Sequence, residues 1–515
     1  MLQIKHLTIT HRKDLRVLLE DFSLSLQPGD KAAIIGEEGN GKSTLLRLIA
    51  GDPQVEEYVE YTGEILRNGC RMGLLSQEWE PEQKALSAWE YCSRSPAFGE
   101  QSPRELAALG RRLGLSLDFF YADQPLEALS GGERTKLQLA LLLAQDPDLL
   151  LLDEPSNDLD VETLVWLEQF IQSCRQPVLY VSHDETLLER TANVILHLEQ
   201  LRKKSRPRCT VARLPYREYV SSRQSLMERQ EQTAKKEQSE FRKKQERFRR
   251  IQQKVENQQN AISRQDPHHA ALLKKKMHTV KAMEHRFEKE EAGLAQRPDS
   301  EEAIFFRFPA DIALPAGKRV LDLELPELTA GGKVLARNLR LHVRGPEKIG
   351  IFGRNGAGKS TLMKQIVRAF QGRTDLAAAY MPQDYEEVLD FSQTPAEALA
   401  KTGDREEIQR IRTYLGSLRY TEEEWSHPIR DLSGGQKAKL LLLALSLSGS
   451  PVLLLDEPTR NLSPLSNPVI RQMLSAFPGA IISVSHDRKY LSQVCTALYR
   501  LTANGLEPVE DPFSG

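Results

Sequence analysis

The chain has 515 residues, too many for one compact core, and that length predicts two to four domains. Hydrophobic residues make up 40% and charged residues 28%, a globular balance that argues against a disordered or fibrous chain. The net charge of −2 conceals a segregation: residues 202–300 hold 26 Lys and Arg against 13 Asp and Glu, which points to a polyanion contact confined to the middle.

The longest apolar runs, such as "LLLLALSL" at 440–447, fall well short of the roughly 18–20 residues of a membrane span. The opening "MLQIKHLTIT" lacks the basic, apolar, small-residue order of a secretory signal. Five scattered cysteines without a CxxC pair imply neither a disulfide framework nor a zinc site. The expectation is a cytoplasmic α/β protein.

In chain order, the first element with chemistry is the β-like run "AAII", which leads into "GEEGNGKST" at 36–44 and then a helical pattern. G-x-x-x-x-G-K-[ST] between a strand and a helix is a P-loop. Gly36, Gly39 and Gly41, around Asn40, let successive backbone amides curl around phosphate oxygens, and the helix N-terminus adds its positive end. Lys42 is placed to reach the terminal phosphates and Ser43, beside Thr44, to ligate Mg²⁺. Next, "LSGGERTKLQLALLLA" at 129–144 begins with Ser130, Gly131 and Gly132, a Ser-started helix N-terminus. "LLLLDEP" at 149–155 reads as a buried parallel strand. It ends in an acidic pair where open α/β sheets bind ligands. Asp153 suits the Mg²⁺ shell, and Glu154 suits a base or orienting group for water. "VSHD" at 181–184 adds His183.

From about residue 216 the pattern changes. Val220, Met227, Ala234, Phe241, Phe248, Val255 and Ile262 recur every seven residues, and so do Leu273, Val280, Phe287 and Leu294. Such stripes keep one seam facing a partner helix. Asp266 and Pro267 read as the N-cap and first turn of a second helix, which puts a reversal at about 263–267. The expectation is an antiparallel helical hairpin with Arg264, Lys274, Lys275 and Lys276 at or just beyond its turn. A plain solvated spacer is the alternative. His268 and His269 have no Cys or carboxylate cluster nearby to make a metal site.

The motifs then return. "IFGRNGAGKSTLM" at 351–363 supplies Gly353, Asn355, Gly356, Gly358, Lys359, Ser360 and Thr361; "LSGGQKAKLLLLALSL" at 432–447 supplies Ser433, Gly434 and Gly435; "VLLLDEP" at 452–458 supplies Asp456 and Glu457; a second "VSHD" supplies His486. The signature Ser lies 23 residues before the strand-end Asp in both halves, and the His 30 residues after it. The boundaries predicted are 1–215 for a first cassette, 216–300 for the linker and 301–515 for a second cassette.

"LSGGE" and "LSGGQ", in order with both P-loops, both acidic strand ends and both histidines, resemble the signature of ATP-binding cassette proteins. Two cassettes joined by a charged helical linker resemble the ABC-F subfamily of ribosome-associated ATPases across essentially the whole chain. The resemblance implies a Mg²⁺-dependent ATPase acting as a monomer through intramolecular cassette pairing. Each signature would complete the nucleotide site of the other cassette, so Ser130 would face ATP held by Lys359 and Ser433 ATP held by Lys42. It further implies that Gln77 and Gln383 are Q-loop residues near the metal, and that His183 and His486 sense the γ-phosphate. The partners implied are the ribosome, through large-subunit rRNA and exit- or peptidyl-site tRNA, and no membrane domain. The interval from Gln77 to Ser130 is 53 residues against 50 from Gln383 to Ser433, so the arm that many members insert there is missing. That interval and "DEPTRNLSPLSNP" at 456–468 are similar to the branch that protects bacterial ribosomes from large-subunit antibiotics. The rival readings are a transporter ATPase, a housekeeping translation factor and a DNA-associated ATPase. Two departures stand out: only His11 offers an adenine platform, in the first half, and Asp160 is matched by Ser463 after the acidic strand ends.

Overall fold

In the strand Val452–Asp456, Leu453 and Leu455 join one apolar core while Val452 and Leu454 join another. Alternation along a pleated strand sends neighbours to opposite faces, so a run without polar residues requires cover on both sides. The computed structural model in which this is seen describes residues 2–75, 81–201, 206–260, 278, 283, 286–287, 308 and 312–510.

The first half builds a six-stranded sheet in the order Met72–Leu75, Leu149–Asp153, Val178–Val181, Lys31–Ile35, Val194–Gln200, Arg206–Ala212. The second repeats it as Ala378–Met381, Val452–Asp456, Ala480–Val484, Lys348–Phe352, Ala497–Thr502, Gly505–Val509. Five strands of each sheet are parallel and the last is antiparallel. Parallel neighbours need crossovers; helices such as Lys42–Ala50 and Gly131–Ala144 supply them and cover the sheet. An antiparallel layer shares one apolar core, and so one face of the sheet, with the helix Lys42–Ala50, and in the second half with the helix Lys359–Phe370. In the first half it comprises Val17–Ser25, Gln3–His11 and Val59–Leu66. In the second it is the hairpin Arg319–Ala330 and Lys333–Arg344. That hairpin turns on Gly331 and Gly332, at φ 56 and 79, the left-handed pair a two-residue turn demands.

By contact density the chain separates into two units, Met1–Tyr216 with Glu301–Gly515, and Arg217–Ser300. The second unit is organised by the helix Tyr216–Asn260, 45 residues without Gly or Pro, about 68 Å of α-helix. Glu231–Lys235 and Arg242–Glu246 pair one turn apart on its surface. Ala234, Phe241 and Phe248 are buried at the expected spacing of seven. Phe287 meets Phe241 at 5.8 Å and Phe248 at 5.0 Å between ring centroids. Phe287 therefore lies beside the first helix, where the return of an antiparallel hairpin would place it. The reversal at 263–267 and Lys274–Lys276 lie outside the described residues. Among the described residues no helix is long and apolar enough to cross a membrane.

Replacing the buried Phe241 by Ala should destabilise the linker by about 3 kcal/mol, and replacing the half-buried Phe287 by less. The double variant should cost less than the sum, because one ring contact is lost twice. Hydrogen exchange of the amides in Tyr216–Asn260 measures this.

Candidate active site

Each P-loop springs from a fully buried central strand and runs into a helix. Gly36 has φ 146, and a Cβ there would stand 2.2 Å from the Leu198 carbonyl oxygen, so the loop passes too close to the next strand for any side chain. Lys42 Nζ donates to the carbonyls of Gly36 and Glu37, both at 3.0 Å, and Lys359 Nζ to those of Gly353 and Arg354, both at 2.9 Å. The two ammonium groups are thus folded back over their loops, at the start of the helices Lys42–Ala50 and Lys359–Phe370. Asn40 Nδ2 donates to the Leu198 carbonyl at 3.0 Å, which pins the loop of the first half. Leu18 lies 3.3 Å from the position of a Gly41 Cβ and Leu335 2.9 Å from that of Gly358, so an aliphatic side chain backs each loop. His11 pairs with Asp14 at 2.8 Å and lies tilted 6.4 Å from Tyr58. Thr44 and Thr361 are half-buried in the helices' first turns.

Asp153 accepts from Ser43 Oγ at 2.9 Å. Both oxygens of Asp456 are buried without a hydrogen-bond partner among the described residues. Burial pushes both carboxyls up, against the pull of the Ser43 and Ser360 hydroxyls. A buried carboxylate beside a hydroxyl, with unused lone pairs, fits a hard cation such as Mg²⁺ that completes its shell with phosphate and water. Glu154 and Glu457 follow with φ 50 and 54, a conformation uncommon for a side-chain-bearing residue and repeated in both halves.

The two glutamates have different environments. Burial would raise Glu154, but the hydrogen bond and charge of His183, with Lys42 and Asn157, outweigh it and hold the carboxyl at about 2. His183 Nε2 lies 3.5 Å from Glu154 Oε1, and its Nδ1 is 2.7 Å from the Leu462 carbonyl of the other cassette. Burial, with Asp456 alongside, raises Glu457 to about 8. His486 Nε2 is 3.8 Å from Glu457, its Nδ1 has no partner among the described residues, and burial with the nearby Lys359 charge holds the ring down at about 3.

The two halves face each other head to tail. A cavity of about 580 Å³ is lined by Lys359, Ser360, Thr361, Gln383, Asp456, Glu457 and His486 of the second cassette and by Gly131, Asn157, Asp158 and His183 of the first. Ser130 caps its helix through Glu133 and Ser433 caps its own through Gln436; Gly131 borders the Lys359 cavity and Gly435 meets Glu38, so both N-termini face the opposite cassette. Gly132 packs on Thr163. Across the second loop, Asn355 Nδ2 donates to the Asp158 carbonyl, and Asn355 N lies 3.4 Å from Asp160 Oδ2. Across the first, Gly435 N donates to Glu38 at 2.5 Å and Lys439 pairs with Glu37 at 2.9 Å. Gln77 lies outside the described residues.

A cross-cassette ion network was not foreseen. Arg471 donates to both oxygens of Glu185, at 2.5 and 3.1 Å; Arg488 binds Glu168; Lys489 binds Glu185 at 3.2 Å and also Glu189. Its only trace in the sequence is charge inside otherwise amphipathic helices, such as Arg471 in "NPVIRQMLS".

Two P-loops, each set beside an acidic strand end and faced by the other half's signature, define a twin-cassette nucleotide hydrolase. The family model described as ABC transporter matches residues 19–157 and 336–460, more than half the chain, and the chain belongs to that family. Its cassettes bind and hydrolyse ATP. The chain is 29% identical over 505 residues to the ribosome protection protein VmlR of Bacillus subtilis, covering 96% of this chain and 85% of VmlR. It is 29% identical over 533 residues to the energy-dependent translational throttle protein EttA of Haemophilus influenzae, covering 93% and 88%. It is 26% identical over 550 residues to ABC transporter F family member 5 of Arabidopsis thaliana, covering 95% and 73%. The resemblance to the F subfamily is thereby borne out. Among solved structures, the archaeal ribosome recycling factor aABCE1, in complex with stalk protein aP1, shares the fold at TM-score 0.57 and 18% identity, covering 96% of this chain and 87% of that one.

A pH profile separates the two glutamates. With Glu154→Gln only the Lys359 site retains its carboxylate, and since Glu457 is protonated below about 8, kcat/KM should climb with pH and level off above that value. With Glu457→Gln the profile should stay flat down to weakly acid pH, because Glu154 titrates at about 2.

Proposed function

We propose that the chain is a cytoplasmic translation ATPase that binds the bacterial ribosome in its ATP state, directs its linker towards the peptidyl-transferase centre and protects translation from large-subunit antibiotics. The observation that carries this reading is the charge of the middle segment, 26 Lys and Arg against 13 Asp and Glu within residues 202–300. Such a segment releases counterions from a phosphate backbone, and folded RNA is read largely through phosphate and 2′-OH contacts. Similarity to a protein named for ribosome protection extends over 96% of the chain, and the short Gln77–Ser130 interval supports the same branch. Similarity to a protein named as a translational throttle favours a second reading, a housekeeping regulator.

In this reading residues 1–215 and 301–515 are the cassettes and 216–300 the linker. Lys42 and Lys359 turn from their own loop carbonyls to the terminal phosphates of ATP. Ser43 with Asp153, and Ser360 with Asp456, offer oxygens to Mg²⁺, helped by Gln77 and Gln383. The cation neutralises phosphate charge when bound. Glu154 and Glu457 orient or deprotonate the attacking water, and His183 and His486 face the γ-phosphate. Ser130–Gly132 and Ser433–Gly435 close over the nucleotide held opposite, so one monomer pairs its own cassettes and reopens after hydrolysis.

Replacing Glu154 and Glu457 together by Gln keeps size and hydrogen bonding but removes the carboxylates. Turnover should fall by about 100-fold or more, while the variant binds ATP and co-sediments with ribosomes. Wild-type turnover would sink the assignment.

Lys274, Lys275 and Lys276 changed to Gln should weaken ribosome binding and flatten its salt slope by about 2–3 units. A Gly/Ser turn in place of 263–269 should spare most of that affinity yet abolish protection of growth against large-subunit antibiotics. Full protection by the turn variant would reduce the tip to a spacer. No protection by the unmodified protein would favour the housekeeping reading.

A further inference from the structure

The two P-loops differ at the variable positions of the motif: Glu37 and Glu38 stand where the second half has Arg354 and Asn355. In the first half both carboxylates are spent on the other cassette. Glu38 Oε2 accepts the Gly435 amide at 2.5 Å and lies 2.8 Å from where a Gly434 Cβ would be. Glu37 accepts from Lys439 Nζ and Ser466 Oγ, each at 2.9 Å. Gly435 and Lys439 lie one turn apart on the 15-residue signature helix Gly434–Ser448, so consecutive loop residues grip one face of it. An ionised carboxylate on the first free amides of a helix is in the position a phosphate oxygen would take. The second loop does the opposite. Asn355 is neutral and donates to the facing Asp158 carbonyl, and Lys136, the residue matching Lys439, lies 4.8 Å over the Trp166 ring of its own cassette.

The facing loops are charged to match. Asp158 and Asp160 meet Asn355 of the basic loop, whereas their counterparts Asn461 and Ser463 are neutral and Ser466 of that stretch donates to Glu37. Exchanging the faces would set acid against acid, a repulsion that also fixes which loop meets which.

We propose that Glu38 is a positioning residue that gates the first nucleotide site: it holds the Gly435 amide, so the γ-phosphate of ATP on Lys42 competes with the Glu38 carboxylate for one donor. This rests on the reading that Ser433–Gly435 complete the Lys42 site. Consequently the Lys359 site, whose loop carries no carboxylate, accepts ATP first, and the first site takes a triphosphate only when Glu38 is displaced. A diphosphate does not reach that amide, so the gate discriminates ATP from ADP.

The test uses the full chain carrying Lys359→Ala, which leaves the first site to report. Adenylyl-imidodiphosphate and ADP are each titrated with Mg²⁺ by calorimetry. Glu38→Gln and Glu38→Asn should tighten the triphosphate analogue on the order of tenfold, the scale of one charge-assisted hydrogen bond, and leave ADP unchanged. ADP binding also shows that each variant is folded. No change for either ligand, or equal tightening of both, would overturn the gate. Ser433→Ala tests the underlying reading separately: if it leaves the triphosphate analogue's affinity intact, the composite site fails, whereas if it weakens that affinity while Glu38→Gln has no selective effect, only the gate fails.

Discussion

Arg471 and Arg488 of the second cassette are buried, and each is tolerable there only because a carboxylate of the first cassette meets it: Glu185 for Arg471 and Glu168 for Arg488. Removing one partner of such a pair leaves an uncompensated buried charge, at a cost of about 3–5 kcal/mol. The two halves are therefore committed to one mutual orientation. Everything chemical at the interface follows from it: only in that orientation does Gly131 border the cavity of Lys359 and does Gly435 reach the P-loop of Lys42.

Duplication made two similar halves, and the single orientation forced them to become complementary. A chain of identical halves would present the same loop to the same loop, twice. Here the acidic P-loop meets Gly435, Lys439 and Ser466, and the basic one meets Asp158 and Asp160 through Asn355. The same divergence sets the two glutamates apart. His183 is tied across the interface to the Leu462 carbonyl and faces Glu154, whereas burial and Lys359 hold His486 neutral.

The P-loops, acidic strand ends and signatures were readable because each is a local device: a strand buried on both faces, a glycine turn and a capped helix need only near neighbours in sequence. The linker stripe was readable because its period is regular, and Phe241, Phe248 and Phe287 meet as that period requires. The ion network was not, because its partners lie about three hundred residues apart and no local pattern couples Arg471 to Glu185. Glu38 was visible as a letter but not as a role. The two quoted loops already differ there, yet the difference acquires meaning only once Gly435 is found against it.

The Asp160-to-Ser463 difference gains the same kind of reason. Asp160 caps the helix Val161–Ser173 through Thr163 N at 3.0 Å and approaches the Asn355 amide of the opposite loop at 3.4 Å, so one carboxylate serves its own helix and the other cassette. Its influence reaches both Lys359 and His486. Ser463 is buried, carries no charge and takes the Leu465 amide at 3.3 Å within its own loop. Asp160 brings a negative charge from the facing loop to the Lys359 site, whereas the carboxylates near Lys42, Glu37 and Glu38, belong to its own P-loop, so the two fields are unequal before any nucleotide binds. The Asp160-to-Ser463 difference therefore bears on both sites: Asp160 acts on the site opposite as well as on its own helix.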